Sequence, residues 1–238
     1  MVRFEQVCGY QNMMKMKKRY LGFGILLLAV ATFIFLSGCI QQEGPITLDS
    51  VEVREYEGEK LSSVDDFREN SIKGPQYIDR EDYVLKITGL VDDPKNYAYD
   101  EVVNRHQNYK KVVKLNCVEG WSVNILWEGV LVRDLIEDAN PETHANVVIF
   151  HAYDGYTTSF PVDYIMENDI IMAHRMNNAT LPPERGFPFQ LVAESKWGYK
   201  WIKWITEIEL SDDVNYKGYW ESMGYSNKGN LNETFYAG

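Results

Sequence analysis

Cysteine is scarce in this chain: three in 238 residues, at Cys8, Cys39 and Cys117. So few cannot build a disulfide framework. Histidine is nearly as rare, and His106, His144, His151 and His174 show neither the i, i+4 pairing nor the short spacing of a zinc site. Each of the four reads as a surface or hairpin residue. The sequence contains no Walker-type phosphate loop, dinucleotide fingerprint or Gly-x-Ser-x-Gly elbow, which removes the common nucleotide-enzyme and hydrolase readings. Basic residues are in deficit, with 24 Lys and Arg against 35 Asp and Glu for a formal charge of −11. Five of the basic residues and one acid fall in residues 1–38, leaving −15 on the remainder. Such a body repels polyanions, and without a basic tract to displace counterions from phosphates it is no nucleic-acid binder. At 45% hydrophobic and 13% aromatic residues, it is too rich in core-forming side chains to be disordered.

What is present begins with an address. Lys17-Lys18-Arg19 precedes an apolar run over residues 21–36, which ends in Leu36-Ser37-Gly38-Cys39. A positive stretch, an apolar stretch and small residues at a cleavage point make a signal peptide over residues 1–38. Cysteine directly after Leu-Ser-Gly resembles the lipobox of bacterial lipoproteins, with Cys39 the lipidated first residue of the mature chain. The competing reading is an uncleaved anchor, for which 16 apolar residues fall short of the ~20 that span a bilayer. Both place the body on the extracytoplasmic face of the membrane. Cys117 is then the only thiol left free, and it reads either as a small buried hydrophobe or as a functional group.

Residues 39–67 are polar and acidic and read as a tether, residues 68–226 as the folded domain and residues 227–238 as a C-terminal tail. Within the domain, alternation predicts a strand over residues 83–89, a strand running into Cys117, a helix over residues 131–138, a hairpin around Asp154-Gly155 and a short helix over residues 162–167. Residues 170–173 and 189–193 read as buried strands, and Ile202, Trp204, Thr206, Ile208 and Leu210 as one face of a last long strand. Three prolines in residues 181–188 exclude regular structure there. Many short strands with few helices predict a single α+β domain dominated by sheet.

Three windows concentrate unusual residues. One is Cys117-Val118-Glu119-Gly120-Trp121-Ser122; another is Leu181-Pro182-Pro183-Glu184-Arg185-Gly186-Phe187-Pro188. The third, Lys196-Trp197-Gly198-Tyr199-Lys200-Trp201-Ile202-Lys203-Trp204, reverses the sign of the surrounding charge and interleaves it with indoles. Its plain reading is a strand whose lysine stems cover aromatic surface. Its sharper reading is a pocket for an anionic, planar ligand.

These windows, with Asn70-Ser71-Ile72-Lys73-Gly74-Pro75 before them and Gly218-Tyr219-Trp220-Glu221 and Gly224-Tyr225-Ser226 after, occur in an order that resembles the molybdopterin-binding domain of the sulfite oxidase family. The likeness is greatest to its small exported members related to the periplasmic methionine-sulfoxide reductases. It implies a molybdenum–molybdopterin cofactor, or its tungsten analogue, with Cys117 as the thiolate on the metal and the catalytic centre. It further implies that Arg185, Lys200, Trp201, Ile202 and Lys203 hold the cofactor, with Asn70 and Lys73 facing it. Sulfite oxidases carry an arginine close to the metal cysteine, whereas Glu119-Gly120-Trp121 stands here, which favours a sulfoxide-type substrate over sulfite. The expected activity is oxygen-atom transfer on a small molecule, with electrons exchanged with a haem membrane subunit or a soluble carrier. The alternative is a non-catalytic lipoprotein that binds a ligand or partner on the same scaffold.

Overall fold

The computed structural model describes residues 52–237, so the signal peptide, Cys39 and the first part of the expected tether lie outside the described residues. The described residues fall in one compact unit. In chain order the elements are β1 (Glu55–Tyr56), β2 (Glu59–Lys60), β3 (Val84–Gly89), β4 (Lys95–Ala98), α1 (Tyr99–Arg105), β5 (Asn108–Asn116) and β6 (Ser122–Leu131). They continue with α2 (Val132–Asp138), β7 (Val147–Ala152), β8 (Thr157–Pro161), α3 (Val162–Glu167), β9 (Ile171–Met176), β10 (Ala179–Thr180), β11 (Gln190–Val192), β12 (Ile205–Ser211) and α4 (Tyr219–Ser222).

Two five-stranded sheets carry the domain, which is dominated by sheet with few helices, as the sequence pattern predicts. One runs β10-β9-β6-β5 with β11 also on β9, and the other β4-β3-β12-β7-β8, in which only β3 and β12 are parallel. Alternation sets the register of β3: Leu85 and Ile87 are fully buried while Val84 and Lys86 face solvent. Each such aliphatic side chain withdrawn from water contributes about 1.5–3 kcal/mol. β6 is buried along most of its length and carries Ile125, Trp127 and Val130 into the same core as Phe150, Met172, Leu191 and Ile208. Its bulge at Glu128 and Gly129 brings the backbones so close that a Cβ on Gly129 would lie 2.1 Å from the Met172 carbonyl oxygen. Only glycine fits there. α1 starts where Glu101 turns back to accept the Ala98 N–H at 3.0 Å, as acids in a first turn do.

Three sequence expectations change. The last strand begins at Ile205, not at Ile202, because Trp204 takes a positive φ of 58° and residues Gly198–Lys200 wind into a single 3-10 turn. Residues 52–66, read as tether, are docked on the domain: the Glu52 carboxylate accepts from Ser63 Oγ, the Val64 N–H and Asn177 Nδ2 at 2.8–3.0 Å. His174 is a buried residue, not a surface one. Its Nε2 meets Asn108 Oδ1 at 2.7 Å, and its ring stands edge-on to Tyr99 and Phe189.

Candidate active site

β5 and β6 are paired up to Asn116 and Ser122, and the five residues between them form the turn that aims Cys117 inward. The Cys117 N–H donates to the Trp121 carbonyl (2.9 Å), and Gly120, at φ 89°, closes the loop by donating to the Cys117 carbonyl (3.1 Å). The Cys117 thiol enters a cavity of about 450 Å3. Around it stand Asn70, whose Nδ2 lies 3.7 Å from Sγ, and Glu119, whose carboxylate accepts from Trp121 Nε1 at 3.2 Å. Burial pushes the free Cys117 thiol up from its ordinary range. The Trp121 and Asn70 hydrogen bonds hold the Glu119 carboxyl low, so it is an anion at neutral pH.

The opposite wall is built from the proline-rich window and the 3-10 turn. Gly186, at φ 99°, lets the chain turn under Lys203, whose Cβ lies 3.0 Å from where a Gly186 Cβ would be. Lys203 Nζ donates to Glu69 Oε1 (2.6 Å) and the Glu184 carbonyl (3.3 Å) and sits over the Trp204 ring. Arg185 lies over the Phe67 ring at 3.9 Å and donates to the Val64 and Phe67 carbonyls at 2.8 and 2.6 Å. Burial lowers the pKa of both cations.

Of the residues singled out in the sequence, Cys117, Asn70, Arg185, Trp201, Ile202 and Lys203 line this one cavity. Lys73 stands beside it, its Nζ 3.5 Å from where a Gly155 Cβ would sit. Lys200 does not reach it. Its side chain is 0% exposed, and its ammonium donates to Glu221 Oε1 (2.6 Å), the Ser159 carbonyl (2.7 Å) and the Asn227 carbonyl (3.0 Å). All three ammonium protons are thus committed to protein. The window of alternating lysine and tryptophan makes Lys200 look like its neighbour Lys203, but the 3-10 turn sends the two in different directions.

Sequence reasoning missed Arg68, Glu69 and Tyr225. Arg68 and Glu69 precede Asn70 in an irregular segment where nothing marks them, while Tyr225 lies in one of the quoted motifs but was given no role. Tyr225 lines the cavity, and burial, the neighbouring Tyr236 and the Cys117 and Glu119 charges raise its phenol pKa.

The donors fit a molybdopterin. Among the described residues no group of three or more His, Cys, Asp or Glu converges, so a metal at Cys117 would have to draw its remaining ligands from a cofactor, and a soft thiolate suits a metal–dithiolene unit. The cavity volume is that of an organic-cofactor site, and Tyr156, Trp201, Trp204 and Trp220 supply aromatic surface for a ring system.

Known proteins agree with this assignment. Residues 72–220 match the family described as oxidoreductase molybdopterin binding domain. The chain is 33% identical over 156 residues to YuiH of Bacillus subtilis, described as an uncharacterized oxidoreductase, covering 65% of this chain and 78% of that one. It is 31% identical over 147 residues to MsrP of Gluconobacter oxydans, the catalytic subunit of a protein-methionine-sulfoxide reductase, covering 55% of this chain but 47% of the relative. It therefore spans about half the length of that second relative. The sulfane dehydrogenase SoxCD of Paracoccus pantotrophus shares the fold, with a TM-score of 0.57 at 21% identity over 60% of this chain and 42% of that one.

Proposed function

We infer the activity of this chain from its membership: it belongs to the oxidoreductase molybdopterin-binding domain family, and it is an oxidoreductase that uses the molybdenum–molybdopterin cofactor. Its substrate, in this reading, is a small neutral sulfoxide, reduced by two electrons and two protons to a sulfide and water. The observation that carries the choice is the charge around Cys117. Glu119 faces the thiol as an anion, and Arg185 and Lys203 are already paired with protein groups. Arg68, also at the cavity, is offset by Glu119, so an anionic substrate such as sulfite finds little net attraction there, while a neutral S–O dipole needs none. The name of the Gluconobacter relative supports the same substrate class.

Bound on Cys117, the cofactor supplies the metal that accepts an oxygen atom and carries two electrons. The chain supplies the rest. Cys117 would hold the metal, with the Asn70 amide beside its sulfur, and Trp201, Ile202 and Lys203 would hold the pterin. Tyr225 lines the cavity and stays protonated at neutral pH, so its hydroxyl would be available there as a proton donor. Glu119, an acceptor only, orients Trp121 at the cavity wall. The domain acts outside the cytoplasmic membrane, tethered by lipid on Cys39, and takes its electrons from a haem membrane subunit or a soluble carrier. The reading is supported by the lipobox-like Leu36-Ser37-Gly38-Cys39.

Elemental analysis of the protein purified from a molybdenum-sufficient host, followed by dye-coupled reduction of dimethyl sulfoxide or methionine sulfoxide, tests this assignment. About one metal per chain with sulfoxide turnover is expected. Sulfite oxidation without sulfoxide reduction would overturn the substrate.

A further inference from the structure

Residues 67–82 run to β3 without regular secondary structure, and Phe67, Arg68, Glu69, Asn70, Ser71 and Ile72 form one wall of the Cys117 cavity. Among the described residues, no backbone–backbone hydrogen bond joins this segment to the rest of the domain. Side chains fasten it instead. Arg185 donates to the Phe67 carbonyl, Lys203 pairs with Glu69 at 2.6 Å, and Asn70 reaches Cys117. Farther along, Tyr77 donates to Glu184 at 3.4 Å and Arg80 pairs with Asp100. A segment without a ladder of its own opens at a lower free energy than the sheets beside it. The three fastenings nearest Cys117 all end on cavity residues, so closure of the segment and occupation of the cavity bias one another.

We propose that residues 67–82 are a strap latched across the cofactor cavity by the Glu69–Lys203 ion pair, and that this latch sets how fast the cofactor leaves. The proposal rests on the reading of the cavity as the molybdopterin site. Lys203 is 13% exposed and Glu69 23%, so parting them leaves an ammonium poorly hydrated, and the closed arrangement is favoured. Glu69 adjoins Asn70 in sequence, so a closed latch also holds the Asn70 amide at Cys117. Glu69 is a positioning residue, not a catalytic one.

Wild-type and Glu69→Gln proteins from a molybdenum-sufficient host are dialysed while molybdenum per chain is followed, and amide hydrogen exchange is read over residues 67–82. Glu69→Gln is expected to lose metal about tenfold faster, as removal of one charge-assisted hydrogen bond allows. Exchange in its strap rises while that in β6 and β7 stays unchanged, and Glu69→Asp, which keeps the charge, recovers part of the retention. Equal metal loss and equal strap exchange in wild type and Glu69→Gln overturn the latch. Wild-type protein without metal would instead sink the cofactor reading, and strap exchange in the metal-free pair would still decide whether Glu69 closes the segment.

Discussion

Lys200 and Glu221 form an ion pair with no exposed side-chain surface, Nζ to Oε1 at 2.6 Å. The same carboxylate oxygen accepts from Thr158 Oγ1 at 2.6 Å, and Glu221 Oε2 is buried without a partner. The pair bolts α4 to the 3-10 turn behind the cavity wall, and α4 leads directly to Tyr225. Residues 226–237 complete the clasp: the Asn227 carbonyl accepts from Lys200, Asn230 Oδ1 from Lys196, and the Ser226 carbonyl from the Tyr199 hydroxyl.

Removing one partner of such a pair strands a buried charge. Lys200→Met is expected to destabilise the domain by about 3–5 kcal/mol, and the double variant Lys200→Met, Glu221→Leu to recover much of that loss. Urea denaturation of the metal-free proteins measures both. A Lys200→Met chain as stable as wild type would show that the pair contributes little.

Cys117→Ala is expected to leave the fold intact, since the thiol is a small side chain at the end of a turn held by backbone hydrogen bonds. Metal content and sulfoxide reduction are both lost. Elemental analysis and circular dichroism of the same preparation separate lost metal from lost fold. Full metal with full turnover would remove Cys117 from the site.

Tyr225→Phe retains the ring and deletes the proton. At neutral pH kcat is expected to fall about 100-fold with KM little changed, the lower end of what a positioned general acid supplies. Steady-state kinetics over a pH series reads the difference. A change confined to KM would make Tyr225 a binding wall and not a proton donor.

Burial pulls His174 down to about 4 from 6.5. Below pH 6.5 the unfolded chain takes up a proton that the folded chain refuses, so this residue's contribution is complete above pH 6.5 and is lost as pH falls toward 4. The loss amounts to at most about 3 kcal/mol. His174→Gln is expected to flatten the stability profile in that window, measured as urea midpoints at pH 4.5, 5.5 and 7. An unchanged slope would assign the acid sensitivity to other groups.

The sequence by itself determined many of the strands and two of the short helices, because period-two alternation in residues 83–89, the apolar run in residues 145–152 and helical spacing in residues 131–138 are local consequences of which face must leave water, whereas the helices Tyr99–Arg105 and Tyr219–Ser222 were not expected from it. It also marked Cys117, through an unusual turn after a strand, and the order of motifs that identified the family. Tertiary structure alone decided which cations face the cavity. Lys200 and Lys203 are three residues apart with the same chemistry, yet a 3-10 turn and the positive φ of Trp204 send one into an enclosed pair with Glu221 and the other to Glu69 at the cavity wall. Residues 67–82 illustrate the same limit. With no periodicity they carry no signal of a helix or strand beyond the Asn70–Pro75 motif, and their place against Cys117 is fixed by side chains that reach across from residues more than 100 positions later, a partnership that only the folded chain creates.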